Sequence, residues 1–237
     1  MRTDGRAADE MRKVKATLGF SKFAEGSCLI EIGDTMVLCN ASVAARVPPH
    51  VTSGGWVTAE YSMLPRANRE RSKRDISKLK LSGRSAEIQR LIGRSLRSAI
   101  DLEALGQRTV TIDCDVLQGD GGTRTASVTG GFIALALACR RLMEQGKITQ
   151  MPLRTYVSGI SAGIVRNEAM LDLCYEEDSR ALVDLNCVMT AEGDLIELQA
   201  TGEGRPFTIE EQRKLIALCR KGNAVLTQMQ RRCLGAL

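Results

Sequence analysis

The run at residues 120–125, Asp-Gly-Gly-Thr-Arg-Thr, combines residue types that bind anions. It lies between an alternating strand pattern and an apolar helix pattern. Consecutive glycines let several backbone N–H groups converge on one point, and the N-terminus of a following helix adds positive potential. Thr123, Arg124 and Thr125 add hydroxyl and guanidinium donors. The run matches neither the P-loop nor the GxGxxG pattern. It predicts an oxyanion site suited to phosphate, and the alternative is a plain strand-to-helix turn.

Two aspartates form a second candidate group. Phosphoryl chemistry requires charge to be neutralised on the transferring group and the leaving oxygen, usually by Mg²⁺ on one or two carboxylates. Asp178 follows a predicted strand, and Asp184 lies inside the next apolar strand. A carboxylate in such a strand has to be paired, metal-bound or exposed. Both aspartates are therefore candidate metal ligands; the alternatives are a turn position for Asp178 and a solvent-facing position for Asp184.

Basic residues are concentrated in one segment of the chain. Residues 64–97 contain eleven Lys or Arg and three acidic residues, a surplus of +8 in a chain whose net charge is +5. This pattern favours a polyanionic partner, with a solvated basic surface as the alternative. Aromatic residues make up only 3% of the chain. A bound nucleic acid is therefore expected to be held by its phosphates, with little sequence preference.

The elements that must position these residues indicate a mixed α/β fold. Alternating and β-rich runs predict strands, some joined by turns such as Gly33-Asp34, at 27–32, 35–43, 56–63, 109–117, 157–165, 169–176, 181–190 and 195–201. Helical spacing predicts two helices, at 88–100 and 126–143. An Arg-rich connection lies between the strand at 56–63 and the first of these helices. A capping box at Thr208 and Glu211 begins a helix that is expected to stop at Gly222, before a final helix over 224–234.

Composition is consistent with one α/β domain over residues 1–237. No apolar stretch of membrane-spanning length and no secretory signal is recognised, so no membrane partner is expected and the cytoplasm is the expected compartment. The eight cysteines form no CxxC pair and lie mostly in apolar patterns, which indicates reduced core residues. The single histidine, His50, lies in a predicted loop, so acid–base or metal chemistry is expected to use carboxylates.

Ordered motifs extend over nearly the whole chain. They are Asp4-Gly5-Arg6, AEGS at 24–27, TAEY at 58–61, MLPR at 63–66, Gly83-Arg84, EIQRLIGR at 87–94, DCDVLQ at 113–118, GGTRTAS at 121–127, and Asn186 with VMT at 188–190. In this order the motifs resemble the ribonuclease PH family of bacterial phosphate-dependent 3′ exoribonucleases. That family is related to exosome-ring subunits and polynucleotide phosphorylase.

The resemblance implies a role for each candidate group. Inorganic phosphate is the implied co-substrate, and the residues that match its binding site are Arg84, Gly122, Thr123 and Arg124. The residues that match the catalytic carboxylates, with Mg²⁺ or Mn²⁺ as the expected metal, are Asp178 and Asp184. The residues that match the contacts to the RNA 3′ end are Arg66, Arg71 and Arg74. The implied reaction removes 3′-terminal nucleotides from tRNA precursors and other RNA as nucleoside diphosphates.

The resemblance also implies an architecture, a ribosomal-protein-S5-domain-2-like α/β sandwich assembled as a homohexameric ring of dimers. Two alternatives stay open: a non-catalytic RNA-binding subunit of an exosome-like ring, and a hydrolytic nuclease that uses water at the same metal site. The chain departs from the family in a shorter loop over 47–56 and in the segment Lys78-Leu79-Lys80-Leu81. Both departures flank the expected RNA path and leave the phosphate and metal residues unchanged.

Overall fold

Two β-sheets form the framework of the protein in the computed structural model, which describes residues 2–74 and 82–237. The strands of the first sheet are β1 (Val14–Leu18), β2 (Gly26–Ile32), β3 (Thr35–Ala44), β4 (Trp56–Met63) and β5 (Thr109–Gln118). Their spatial order is β1-β2-β3-β5-β4, in which β4 runs parallel to β5 and the other neighbours are antiparallel.

The second sheet is entirely antiparallel among the described residues. Its strands are β6 (Val157–Val165), β7 (Glu168–Leu171), β8 (Val183–Thr190) and β9 (Leu195–Gly202), in the order β7-β6-β8-β9. The helices are α1 (Gly83–Arg97), α2 (Leu102–Leu105), α3 (Thr123–Glu144), α4 (Tyr175–Asp178) and α5 (Ile209–Leu234). The predicted mixed α/β class is confirmed.

Helix α3 packs between the sheets, on β2 and β3 on one side and on β6 on the other. It has no continuous polar face, and Phe132, Ile133 and Leu135 are fully buried. Each such side chain contributes about 1.5–3 kcal/mol of hydrophobic stabilisation. Gly130 permits the close approach to the first sheet, because a Cβ atom there would lie 2.6 Å from Ile30 Cγ2. The core is therefore continuous across both sheets.

By length and composition alone, α3 would be able to cross a membrane. The expectation that no apolar stretch reaches that length is therefore wrong. However, 78% of the most apolar 18-residue stretch of this helix is buried inside the protein. Its apolar surface is thus covered by the two sheets, as the lack of a polar face predicted.

Helix α5 is continuous, so the prediction of two helices separated at Gly222 is wrong. Gly222 is buried in the middle of the helix, and a Cβ atom there would lie 2.9 Å from Ile160 Cγ1 and 3.1 Å from Leu171 Cδ1. The glycine therefore serves helix–sheet packing, which sequence position alone does not distinguish from a helix stop. The predicted capping box at Thr208 and Glu211 is confirmed.

One strand prediction is also wrong, and one strand was missed. The strand expected at 169–176 ends at Leu171, because Asp172 adopts a left-handed conformation with φ of 52° and the chain then forms α4. Strand β1 at the start of the chain was not predicted. The Gly33-Asp34 turn is confirmed by the pairing of Ile32 with Thr35.

The cysteines are free, as predicted, and all but the partly buried Cys233 are buried. His50 is an exposed loop residue whose ring contacts the Trp56 ring edge-on at 5.2 Å. Neither the thiols nor the imidazole lines the cavity that contains the candidate site residues.

Candidate active site

The turn after β5, helix α4 and the beginning of β8 enclose a cavity of about 380 Å³. It contains all six residues predicted to bind phosphate or metal. The residues lining it are Met63, Asn68, Arg84, Gly119, Gly121, Gly122, Thr123, Arg124, Ser161, Tyr175, Asp178, Ser179, Asp184, Asn186 and Glu203. The fold thus brings together predicted site residues that lie up to 100 residues apart in the sequence, as Arg84 and Asp184 do.

Two glycines in left-handed conformations shape the predicted phosphate cradle, which consists of Gly121, Gly122, Thr123 and Arg124. Their φ angles are 77° at Gly121 and 66° at Gly122. A Cβ atom at Gly121 would lie 2.4 Å from the carbonyl oxygen of Leu173, so no side chain fits there. Gly122 caps α3 without a side-chain hydrogen bond, and the first turn of the helix contains no acidic residue. The first-turn amides are therefore available to an anion at the positive end of the helix dipole.

Side-chain hydrogen bonds hold the cradle in place. Thr35 Oγ1 accepts from the Asp120 amide at 2.9 Å and donates to the Gly121 carbonyl at 2.7 Å. Tyr61 and Thr123 share a hydroxyl hydrogen bond of 2.8 Å. Thr35 lies on β3 and Tyr61 lies on β4, so two strands of the first sheet hold the cradle in position before an anion binds.

The two predicted phosphate-binding arginines reach the cavity from different helices. Arg124 lies in the first turn of α3, and its Nη1 donates to Gln199 Oε1 at 3.0 Å. Gln199 Nε2 in turn donates to Glu87 Oε1 at 2.7 Å, which links this guanidinium to α1. Arg84 is exposed in the first turn of α1, whose N-cap is Ser82 and whose first turn also lacks acidic residues. Two guanidinium groups, each in the first turn of a helix, therefore line one cavity.

Asp178 and Asp184 form the acidic side of the cavity. Burial, and secondarily the charge of Asp178, raises the pKa of Asp184 to about 6, although Arg124 and a 2.9 Å hydrogen bond from Asn186 Nδ2 oppose the shift. Burial and the nearby Glu203 likewise raise the pKa of Asp178. Both carboxylates are thus destabilised in their charged forms. A bound divalent cation would reverse this effect.

The donor set suits Mg²⁺ or Mn²⁺ more than zinc. Across residues 2–74 and 82–237, no three His, Cys, Asp or Glu side chains cluster closely enough to hold a metal together. Mg²⁺ commonly uses one or two carboxylates with several water ligands. Glu203, an exposed residue after β9, is a third acidic group in the cavity. No sequence pattern identified it, because its position depends on the pairing of β9 with β8.

A buried ion-pair network, which the sequence did not reveal, supports both sides of the cavity. Arg2 forms a bidentate pair with Glu177 at 2.7 and 2.6 Å. Arg12 forms another with Asp172 at 3.0 and 2.7 Å and also donates to the carbonyls of the 120–121 turn. Burial opposes ionisation of Glu177, but the hydrogen bonds from Arg2 hold its pKa below the ordinary value. The N-terminal segment therefore connects the cradle to α4, which carries the catalytic candidate Asp178.

The predicted RNA-binding residues Arg66, Arg71 and Arg74 are exposed on the segment that follows β4. They do not line the cavity. Asn68 from the same segment does, and Arg69 lies over the Tyr175 ring at 5.6 Å. The departure noted at Lys78-Leu79-Lys80-Leu81 lies outside the described residues.

Tyr175 is an aromatic residue of the cavity that the sequence analysis missed. Its side chain is 48% exposed, while its backbone amide donates to Asp120 Oδ1 at 3.2 Å. The low aromatic content of the chain predicts few exposed rings and does not indicate where one would lie. The expected phosphate-based grip on nucleic acid is therefore accompanied by one exposed ring at the site.

The fold and the site define an α/β sandwich in which an oxyanion cradle and a pair of half-buried carboxylates share one cavity. Residues 10–140 match the model of the 3′ exoribonuclease family, domain 1, and residues 155–222 match domain 2. The chain belongs to this RNase PH-type 3′ exoribonuclease family. The expected single domain over residues 1–237 stays a prediction.

Solved structures with the same fold include exosome subunits. Rice (Oryza sativa) Rrp46 superposes with a TM-score of 0.81 at 18% identity, covering 98% of this chain and 100% of that chain. A chain of the Archaeoglobus fulgidus exosome with RNA bound to the active site superposes with a TM-score of 0.82 at 24% identity. The match covers 96% of this chain and 91% of that chain. A chain of an archaeal exosome core gives 0.74 at 22% identity, with coverages of 98% and 90%. At these identities the similarity confirms the RNase PH-type fold.

Proposed function

We propose that this protein is a phosphate-dependent 3′-5′ exoribonuclease that releases nucleoside diphosphates from RNA. One observation carries the proposal: a glycine cradle, Arg84 and Arg124 face the same cavity as Asp178 and Asp184. Donors for a free anion and carboxylates for a divalent cation are the two requirements of metal-assisted phosphoryl transfer. The family to which the chain belongs supports the same reaction class.

In the proposed reaction, orthophosphate lies against the Gly122–Arg124 cradle with two of its oxygens neutralised by Arg84 and Arg124. One phosphate oxygen attacks the phosphorus of the terminal linkage, and the bond from that phosphorus to the 3′ oxygen of the preceding nucleotide breaks. The 3′ oxygen takes up a proton, so the products are a nucleoside diphosphate and an RNA with a new 3′-hydroxyl. Positioning and electrostatics supply the rate enhancement, and no protein nucleophile is needed.

Asp178 and Asp184 would hold Mg²⁺ or Mn²⁺, which when bound supplies neutralising charge at the scissile phosphate and the leaving oxygen. Asn186 donates to Asp184 and so orients one carboxylate oxygen. Arg12 pairs with Asp172 and Arg2 pairs with Glu177, and these buried ion pairs fix the position of α4 relative to the cradle. These supporting residues keep the two halves of the site at a constant separation, which in-line transfer requires.

The RNA would approach along the basic segment that follows β4. Arg66, Arg71 and Arg74 are exposed and available to backbone phosphates. The Tyr175 ring beside the cavity offers a stacking surface to the terminal base, and stacking tolerates every base. We propose tRNA precursors among the substrates and a homohexameric ring, as the resemblance to the family implies, together with a cytoplasmic location. The exosome structures with the same fold support RNA binding and ring assembly in general.

A product assay tests the function and its two alternatives. Wild-type protein is incubated with Mg²⁺ and internally labelled RNA ending in a 3′-hydroxyl, with and without orthophosphate, and the products are separated by thin-layer chromatography. Diphosphates that form only with orthophosphate are the expected result. Monophosphates formed without it would identify a hydrolase, and RNA binding without products would identify a non-catalytic ring subunit. The Asp184→Asn variant is the control for contaminating nucleases.

A further inference from the structure

The hydroxyl group of Ser161 is a buried polar group in the cavity wall without a hydrogen-bond partner in the described part of the chain. Ser161 lies on β6 and is only 4% exposed. Its Oγ is buried and has no hydrogen-bond partner among the described residues, although the residue lines the cavity. Buried polar groups are hydrogen-bonded in the large majority of cases, so an exception next to a binding cavity points to a ligand.

The strand face that carries Ser161 packs directly against the beginning of α3. Gly159 and Ser161 are two residues apart on β6 and therefore share a face. A Cβ atom at Gly159 would lie 3.0 Å from Thr125 Cα, so the first turn of α3 covers this face. A Cβ atom at Gly122 would lie 3.8 Å from Ser161 Oγ. The hydroxyl is thus beside Gly122, the second glycine of the cradle.

We propose that Ser161 is a further phosphate-contacting residue, whose hydroxyl donates a hydrogen bond to an oxygen of the orthophosphate held at Gly122, Thr123 and Arg124. This inference rests on the proposed function. The hydroxyl is a neutral donor, and it approaches the anion from the second sheet, whereas the cradle amides come from α3. A site with donors on two sides discriminates a tetrahedral anion from a planar one.

The contact with Gly122 is the reason to assign the hydroxyl to orthophosphate and not to the phosphate of the RNA. Ser161 Oγ lies beside Gly122 of the cradle, while the Ser161 backbone pairs with Asn186 on β8, the residue that donates to Asp184. The RNA linkage would lie toward Asp178 and Asp184, where a cation would neutralise it. Both ligands are phosphate oxyanions, so the experiment measures their binding separately.

A matched pair of serine substitutions tests the proposal. Ser161→Ala removes the cavity hydroxyl. Ser95→Ala removes another buried hydroxyl that has no partner within residues 2–74 and 82–237, located on α1 and outside the cavity. Binding of ³²P-labelled orthophosphate is measured by equilibrium dialysis without RNA. Ser161→Ala is expected to raise the Kd about ten- to a hundredfold, the range for losing a hydrogen bond to a charged group, while Ser95→Ala leaves it unchanged.

Steady-state kinetics and RNA binding provide the second readout. The KM for phosphate is expected to rise in Ser161→Ala with little change in the Kd for RNA, and Ser161→Cys, which has a weaker donor, should lie between the two proteins. Orthophosphate binding by Ser161→Ala equal to that of the wild type would overturn the inference, as would a loss confined to RNA binding. Dialysis needs no turnover, so a wild-type protein that binds phosphate without releasing diphosphates refutes the proposed function alone.

Discussion

Replacing Asp184 by Asn should stabilise the protein in the absence of divalent cations, and the gain should grow with pH. The pKa of Asp184 is raised from its ordinary value of 3.8 to about 6, so folding favours the protonated form. Between these values the folded state binds more protons than the unfolded state, and stability therefore falls as pH rises. The cost of the ionised carboxylate works out to about 1 kcal/mol at pH 4.5 and about 3 kcal/mol at pH 7.5.

Asn has nearly the same shape as Asp and carries no charge. Urea denaturation in EDTA should therefore show Asp184→Asn to be more stable than the wild type by about 3 kcal/mol at pH 7.5, and by about 1 kcal/mol at pH 4.5. The charge of Asp178 contributes to the raised pKa of Asp184, so the transition with pH should be broad. Asp194→Asn, which changes an exposed acidic residue on the β8–β9 turn, is the control.

Addition of Mg²⁺ should reverse the order of stability. Cation binding to the folded wild type raises its free energy of unfolding in proportion to the logarithm of the Mg²⁺ concentration, and the variant, which lacks one ligand, should respond weakly. A variant no more stable than the wild type in EDTA at pH 7.5, or a difference independent of pH, would refute the assignment of Asp184 as a carboxylate kept poised for a cation.

Three further predictions concern the cradle and the basic segment. Arg124→Ala should raise the KM for phosphate about ten- to a hundredfold because a charge-assisted hydrogen bond is lost, and unchanged phosphate kinetics would count against the cradle. Gly121→Ala should cost about 2–4 kcal/mol in urea denaturation, since its Cβ would lie 2.4 Å from the Leu173 carbonyl at a positive φ, whereas Gly146→Ala, which meets no atom within 4 Å, should cost less. Replacing Arg66, Arg71 and Arg74 together by Ala should lower the salt dependence of single-strand RNA binding. The slope of log K against log salt should fall by about 2, and the KM for phosphate should not change.

Much of the fold was predictable because local patterns determine it. The alternation of Val110, Ile112, Cys114 and Val116 predicted a half-buried strand, and all four side chains are buried. The strand-to-helix turn with its two glycines predicted the cradle, because only glycine adopts left-handed conformations freely. Predictions failed where one residue type serves two purposes, as at Gly222, which ends no helix and instead permits close packing on the second sheet.

The sequence by itself therefore determined the type of most elements, the turn with its two glycines and the clustering of positive charge, since these depend on residues near one another in the chain. Only the tertiary structure decided which distant groups share a cavity. The bidentate pair of Arg12 with Asp172 spans 160 residues, and the contact between Ser161 and Gly122 joins the second sheet to the beginning of α3. Such contacts arise from the burial of apolar faces against α3, which brings polar groups together without leaving a local pattern in the sequence.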